Sequence, residues 1–201
     1  MIKKIYFLVF ITLSSVLHAQ QDDCRYSDVK LGSKKHIAKL RTEPVMVENY
    51  QTQEKGRVVD FSLLNTRGLV ILNVEIYKDA KDQLIPSCVG KGSELILSLS
   101  NGEKISLPQI GARLCGYDIP SVEKGFNNIK NMASFLITED KFDDLKNNEV
   151  LFTKFSSEEL NFDFIMKSEL FNDEDNQVLN PSRYFIDQLD CVVNPKIIVQ
   201  D

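Results

Sequence analysis

From Glu94 to Leu107 the chain changes character at nearly every residue. Leu95, Leu97 and Leu99 alternate with Glu94, Ile96 and Ser98, and after Asn101-Gly102 the residues Ile105 and Leu107 alternate with Lys104 and Ser106. A period of two puts one set of side chains on one face of a strand, so this stretch commits the chain to an antiparallel hairpin with one buried face. The faces also set the register. A two-residue Asn101-Gly102 loop pairs Leu97 with Ser106 and Leu99 with Lys104, mixing apolar and polar side chains. A three-residue loop, Ser100-Asn101-Gly102 with Gly102 left-handed, pairs Leu97 with Ile105 and Leu95 with Leu107 and keeps the face apolar.

Two more hairpins follow the same logic. Val59, Phe61 and Leu63 are expected to face Val74, Leu72 and Val70 across a four-residue loop from Asn65 to Gly68. Leu151, Thr153 and Phe155 are expected to face Phe164, Phe162 and Leu160 across Ser156 to Glu159. The stretches His36–Thr42 and Val45–Asn49 read as strands, with Pro44 marking a break or an edge between them. Helical signals are fewer. Thr138 as N-cap, Glu139 and Asp140 in the first turn and a stripe of Phe142 and Leu145 predict a short helix near 139–147. Asn180-Pro181 opens a C-terminal helix near 181–192, whose buried side is Tyr184, Phe185, Ile186, Leu189, Val192 and Val193. Ser121–Lys130 has a weaker helical pattern, interrupted by Gly125 and two Asn. The predicted fold is mainly β (α+β), an antiparallel β-sandwich or strongly curved sheet with these two helices on a face. No internal repeat or Pro-rich linker divides the chain, so residues 20–201 read as a single β-rich domain.

The first nineteen residues read as a signal peptide. Lys3 and Lys4 form a charged start, and Ile5–Leu17 is an apolar to weakly polar run. That run is shorter than the roughly 20 residues needed to span a bilayer and has the length of a signal-peptide core. Cleavage is expected after Ala19, leaving no stable membrane span and a periplasmic or secreted protein. Gln21, Asp22 and Asp23 are polar, unlike the residues that precede a lipidated cysteine, so Cys24 reads as unlipidated. Cleavage also removes one of the two histidines and leaves only His36. A single imidazole excludes a zinc triad of histidines and a HExxH helix.

In an oxidising compartment an even number of cysteines reads as disulfides. Cys24, Cys88, Cys115 and Cys191 contain no CxxC spacing, and four cysteines allow three pairings. Following the 94–107 hairpin outward brings Cys88 opposite Leu114, next to Cys115. That favours Cys88 with Cys115, and leaves Cys24 with Cys191 to tie the two ends of the domain together.

Chemistry-bearing motifs are sparse. Gly90-Lys91-Gly92-Ser93 has the residue types of a phosphate loop, but lacks its spacing and precedes a strand rather than a helix. Asp173-Glu174-Asp175-Asn176 offers oxygen ligands for Ca²⁺ without the glycine and terminal glutamate of an EF-hand loop. His36 has Ser33 and Asp28 near it in sequence, and no GxSxG elbow supports a serine hydrolase. No motif nominates a catalytic residue, a metal ligand or a cofactor. With 24 Lys plus Arg against 29 Asp plus Glu, and a formal charge of −5, the chain lacks the cationic excess of a nucleic-acid binder. Its one basic stretch is Lys34, Lys35, Lys39 and Arg41. Alternate residues of a strand there form a candidate cationic surface for an anionic partner or a lipopolysaccharide-like surface, or else an edge protected by lysines.

The opening Cys24-Arg25-Tyr26-Ser27, the Lys91–Leu95 segment with its Asn101-Gly102 turn, the Thr138–Asn148 helix running into Val150–Phe155, and the terminal helix carrying Cys191 resemble those of short exported bacterial proteins of unknown function. The resemblance implies an independent exported domain and brings no catalytic residue with it. The expected function is a non-enzymatic binding or protein-interaction module with a partner in the envelope or outside the cell, using loops at the ends of the sheet. The alternative is a carboxylate-based hydrolytic or accessory enzyme of the envelope.

Overall fold

The computed structural model describes residues 24–32, 37–119, 125–173 and 176–196. Its longest ladder joins β4 (Lys55–Thr66) to β5 (Leu69–Ala80). Val59, Phe61 and Leu63 on β4, and Val70, Leu72, Val74 and Ile76 on β5, are all buried. The turn between the strands is the two-residue Arg67-Gly68, with φ of 52° and 87°. Positive φ at both residues is the type I′ arrangement, whose twist matches that of the strands it joins. Asn65 Oδ1 accepts the Gly68 N–H at 3.0 Å and fastens it. This corrects the expected four-residue loop: the register moves by two, so that Phe61 faces Val74 and Leu63 faces Leu72. A shift of two returns each side chain to its own face, which is why the predicted core is unchanged.

β2 (Ile37–Thr42) pairs with the end of β4, and β3 (Val45–Gln51) with its start. Glu43-Pro44 is the corner where the chain passes from one position to the other. β1 (Tyr26–Leu31) flanks β2. On the other side β11 (Asn127–Ile137) pairs with β5, and β10 (Tyr117–Ile119) ends the sheet. β11 corrects a second expectation, because Asn127–Lys130 begins this strand instead of ending a helix. Ile129, Asn131, Ala133, Phe135 and Ile137 alternate inward and are buried, a period-two pattern that outweighs the weak helical one before it. Residues 121–124 of that segment lie outside the described residues.

The second sheet has the order β13-β12-β7-β8, with β7 (Glu94–Leu99), β8 (Lys104–Pro108), β12 (Val150–Ser156) and β13 (Asn161–Ile165). Leu95 faces Leu107 and Leu97 faces Ile105, the register of the three-residue loop, with Gly102 at a φ of 88°. The β12–β13 loop is Ser157–Leu160, one residue later than expected. Thr153 therefore faces Phe164, and Phe155 faces Phe162. The loop is fixed locally: the Ser157 hydroxyl accepts the Leu160 N–H at 2.8 Å, and Asn161 Oδ1 accepts the Ser157 N–H at 3.1 Å. Leu151 was expected on the buried face and is exposed, because the pairing of β12 with β7 shifts between Val150 and Phe152.

Two short pairs complete the strands: β6 (Cys88–Val89) with β9 (Leu114–Cys115), and β14 (Leu170–Asn172) with β15 (Gln177–Leu179). Both expected helices form, each entered by a 3-10 turn: Glu139–Lys141 before α1 (Phe142–Asn147), and Pro181–Arg183 before α2 (Tyr184–Val193). Neither Thr138 nor Asn180 caps with its side chain. Their backbone carbonyls instead accept the Lys141 and Arg183 N–H groups, both at 3.0 Å. α2 buries Tyr184, Phe185, Leu189, Cys191 and Val192, while Ile186 and Val193 are only half-buried.

The architecture is thus mainly β, a curled antiparallel sheet and a smaller sheet with two short helices. One core draws on both sheets and both helices. Phe135 of the large sheet meets Phe155 of the small one edge-on at 5.6 Å, and Phe61 meets Tyr184 of α2 at 5.5 Å. Such pairs add about 0.5–1.5 kcal/mol beyond the area they bury. Phe61 touches this core at its centre and is fully buried. Phe61→Ala is expected to cost about 3–5 kcal/mol, read as a lowered urea midpoint with little change in the slope of the transition.

Candidate functional site

Of the basic residues singled out in the sequence, Lys39 and Arg41 fall on β2, and Lys34 and Lys35 lie outside the described residues, as does His36. Lys39 Nζ lies 2.6 Å from Asp28 Oδ2 across the β1–β2 pair. Arg41 donates to Ser62 Oγ at 3.2 Å and to Glu75 Oε1 at 3.1 Å. The second Glu75 oxygen accepts Lys130 Nζ at 2.7 Å and the Tyr77 hydroxyl at 2.9 Å, and Lys130 sits 4.8 Å from the centre of the Tyr77 ring. Burial alone would raise the Glu75 carboxyl. Hydrogen bonds from Lys130 and Tyr77, with the charges of Lys130 and Arg41, outweigh it and hold the group below the usual glutamate range. This network was not visible in the sequence, since its members come from four strands and meet only once the registers are known. It ties β2, β4, β5 and β11 together on the face away from the core.

A cleft of about 880 Å³ opens at another place, beside the Cys24–Cys191 disulfide. Four parts of the fold form it: the segment from Cys24 to Tyr26, the corner from Glu43 to Met46, the β14–β15 hairpin, and the exposed side of α2. Val45, Met46, Val178, Leu179 and Ile186 supply apolar wall. Asn172, Gln177, Asn180, Gln188 and Asn194 supply carboxamides, which can each donate and accept. The disulfide, with a Cα–Cα distance of 5.5 Å, holds the start of β1 against α2. Two side chains reinforce that joint by donating to carbonyls of the last helical turn, which have no partner within the helix. Tyr26 donates to the Cys191 carbonyl at 3.0 Å, and Asn65 donates to the Val192 carbonyl at 2.8 Å. Buried beneath the cleft, the Tyr184 hydroxyl is pushed up by desolvation, against opposing effects of Thr42 and Arg41.

Comparison with protein-family models, curated proteins and solved structures finds no match for this chain.

Three acids border the cleft, Glu43, Asp187 and Asp190, and the last two are paired within the chain. Asp187 pairs with Arg183 at 3.1 Å, and Asp190 with Lys146 at 2.5 Å. Asp190 is held below the usual aspartate range chiefly by its hydrogen bond from Lys146, which with help from Asn194 outweighs the opposing effect of burial. Glu159 shifts the same way, first through the Cys88 N–H and then through Arg113. Among the described residues no group of three or more His, Cys, Asp or Glu is arranged to hold a metal ion. Glu174 and Asp175, in the middle of the acidic stretch from Asp173 to Asn176, lie outside the described residues.

The second disulfide joins Cys88 to Cys115, which face each other directly as register partners. This is one residue from the Cys88–Leu114 pairing extrapolated along the hairpin, because Gln109 leaves β8 to bridge Phe135 of β11 and breaks the ladder. Gly116 follows the cysteine with little room to spare: a Cβ there would lie 2.7 Å from Asn131 Nδ2.

Two outcomes follow. Glu75 has a folded-state pKa below its ordinary 4.5, so it stabilises the fold at neutral pH and loses that contribution as pH falls below about 4.5. Glu75→Gln should lower stability at pH 7 and flatten the acid limb of a urea-midpoint profile; an unchanged acid limb would show that Glu75 does not set it. Replacing both Cys24 and Cys191 with serine should cost about 2–5 kcal/mol, with hydrogen exchange accelerated first in β1 and α2.

Proposed function

We propose that this protein is an exported binding or protein-interaction module, and that the cleft beside Cys24–Cys191 holds its ligand. The observation that carries this reading is the cleft's lining, an apolar wall next to five carboxamides, in a concavity of about 880 Å³. Because the neighbouring Asp187 and Asp190 are matched by cations of the same chain, a ligand need not bring charge to balance them. The lining suits a polar ligand of low net charge that offers both donors and acceptors and one apolar side, as an extended peptide segment does. Two disulfides suit an oxidising compartment, and no helix among the described residues is long and apolar enough to cross a membrane. Together with the apparent leader at residues 1–19 and the resemblance to short exported bacterial proteins, these features favour the periplasm or the exterior as the place of work. A carboxylate hydrolase draws less support. It requires an acid whose pKa is raised so that it carries a proton at neutral pH, and Asp190 at the cleft shifts the opposite way.

A photo-crosslinking amino acid placed at Gln188, inside the cleft, should capture an envelope component that the same group at exposed Lys104 on β8 does not. Ile186→Arg should abolish the capture while leaving the melting temperature within a few degrees. Absence of any adduct at Gln188, or equal adducts at both positions, would refute the assignment.

A further inference from the structure

A different part of the surface combines charge and apolar exposure. Lys30 of β1 faces Lys39 of β2, Lys39 faces Thr66 of β4, and Thr66 faces Leu69 of β5, so one row crosses four strands at the end of the large sheet. The Arg67-Gly68 turn belongs to this end, since the Arg67 N–H donates to the Ala38 carbonyl at 3.4 Å. Three apolar side chains project here with large exposure: Val29 at 43%, Leu31 at 48% and Leu69 at 58%. Lys30, Lys39 and Leu69 share one face of the sheet, Val29 and Leu31 alternate onto the other, and Arg67 stands at the turn, so the cations and the apolar side chains meet where the sheet ends. The described stretches 29–32, 37–42 and 65–72 contain no Asp or Glu, although the chain as a whole carries a formal charge of −5. Asp28 is the nearest acid in sequence, and it is bound to Lys39.

Like charges directly opposite each other, as Lys30 and Lys39 are, cost stability in a sheet. Exposed leucines at a turn contribute nothing to the core. An anionic lipid surface would satisfy both features at once: lysine and arginine are drawn to acidic headgroups, and apolar side chains enter the boundary between headgroups and acyl chains. A soluble polyanion would satisfy only the first. We infer that this end of the large sheet, with Lys30, Lys39 and Leu69 on one face, Val29 and Leu31 on the other and Arg67 at the turn, docks end-on against the anionic face of a lipid bilayer. It is separate from the cleft and does not depend on the cleft's ligand.

The test is co-sedimentation of the full mature chain with vesicles of phosphatidylglycerol and phosphatidylcholine in equal amounts, against vesicles of phosphatidylcholine alone. Binding is expected to the acidic vesicles only, and to fall as salt rises from about 0.1 M to about 0.5 M. Leu31→Ser with Leu69→Ser should weaken it about tenfold, and Lys30→Glu with Arg67→Glu should weaken it at least as much. No binding to acidic vesicles overturns the inference. So does full binding by the serine variant, which would mark a polyanion site reached by charge alone. Near-UV circular dichroism checks that each variant is folded; should the serine variant fail that check, the glutamate variant decides, and unchanged binding by it overturns the proposal. Cleft variants such as Ile186→Arg should bind vesicles like the wild type, which keeps this outcome distinct from that of the cleft assignment.

Discussion

Twelve consecutive cross-strand pairs, from Lys55–Ala80 to Thr66–Leu69, join β4 to β5, and the rest of the structure is attached to this ribbon. β4 is long enough to accept two partners on its free edge, β3 along its first half and β2 along its last residues. β5 accepts β11 along nearly its whole length. The inward side chains of the ribbon then form the floor on which the smaller sheet and both helices rest. Its closure depends on the left-handed conformation of both Arg67 and Gly68. Glycine takes that conformation without penalty, whereas an arginine there is uncommon. The strain is tolerated because the type I′ turn lets the ladder run to its last pair.

The two faces of the ribbon are held by different physics. On the inner face the contacts are apolar and non-directional, and aromatic edges link the layers. On the outer face a half-buried carboxylate, Glu75, gathers Arg41, Lys130 and Tyr77. An exposed ion pair is worth about 0–1 kcal/mol, but Glu75 joins three hydrogen bonds in one place and at a site partly withdrawn from solvent. Its larger effect is on register. A one-residue slip of β11 against β5 would turn Lys130 to the inner face and strand it in the core.

Much of this was legible in the sequence because the driving pattern is local. The alternation at Leu95, Leu97, Ile105 and Leu107 gave the correct pairing, since only one loop length keeps those residues on one face. The hairpins at 59–74 and 151–164 were found but set two residues off, because registers differing by two present the same faces. Turn chemistry broke the tie: Arg67-Gly68 in one case, and the Ser157 and Asn161 side chains in the other. β11 is not anticipated anywhere along its length: Asn127 and Asn128 at its start carry little strand propensity, and its position is dictated by its pairing with β5. The site features were less legible still. The cleft gathers residues between 24 and 46 with residues between 172 and 196, and the Glu75 network gathers four strands. No local pattern encodes such a meeting.

Strand β1 shows how the disulfides and the two proposed surfaces are related. It is an edge strand of six residues, about 20 Å long at the usual rise. Pairing on one side only gives such a strand little intrinsic stability. Its first residues are fastened by Cys24–Cys191 and by the Tyr26 hydrogen bond to α2, beside the cleft. Further along, Asp28 is fastened to Lys39, and the strand then delivers Lys30 and Leu31 to the far end of the sheet. Fixing one end of a strand lowers the entropy cost of ordering the rest. A reduced Cys24–Cys191 bond would therefore open the cleft wall first, and would loosen the Lys30–Leu31 end only to the extent that the β1–β2 pairing fails to hold it. That pairing contains two register irregularities, on either side of Asp28–Lys30. The regular part is three residues long, too short to keep the strand ordered by backbone hydrogen bonds alone. The covalent link at Cys24 thus sets the cleft wall directly and reaches the far end of the sheet only through β1.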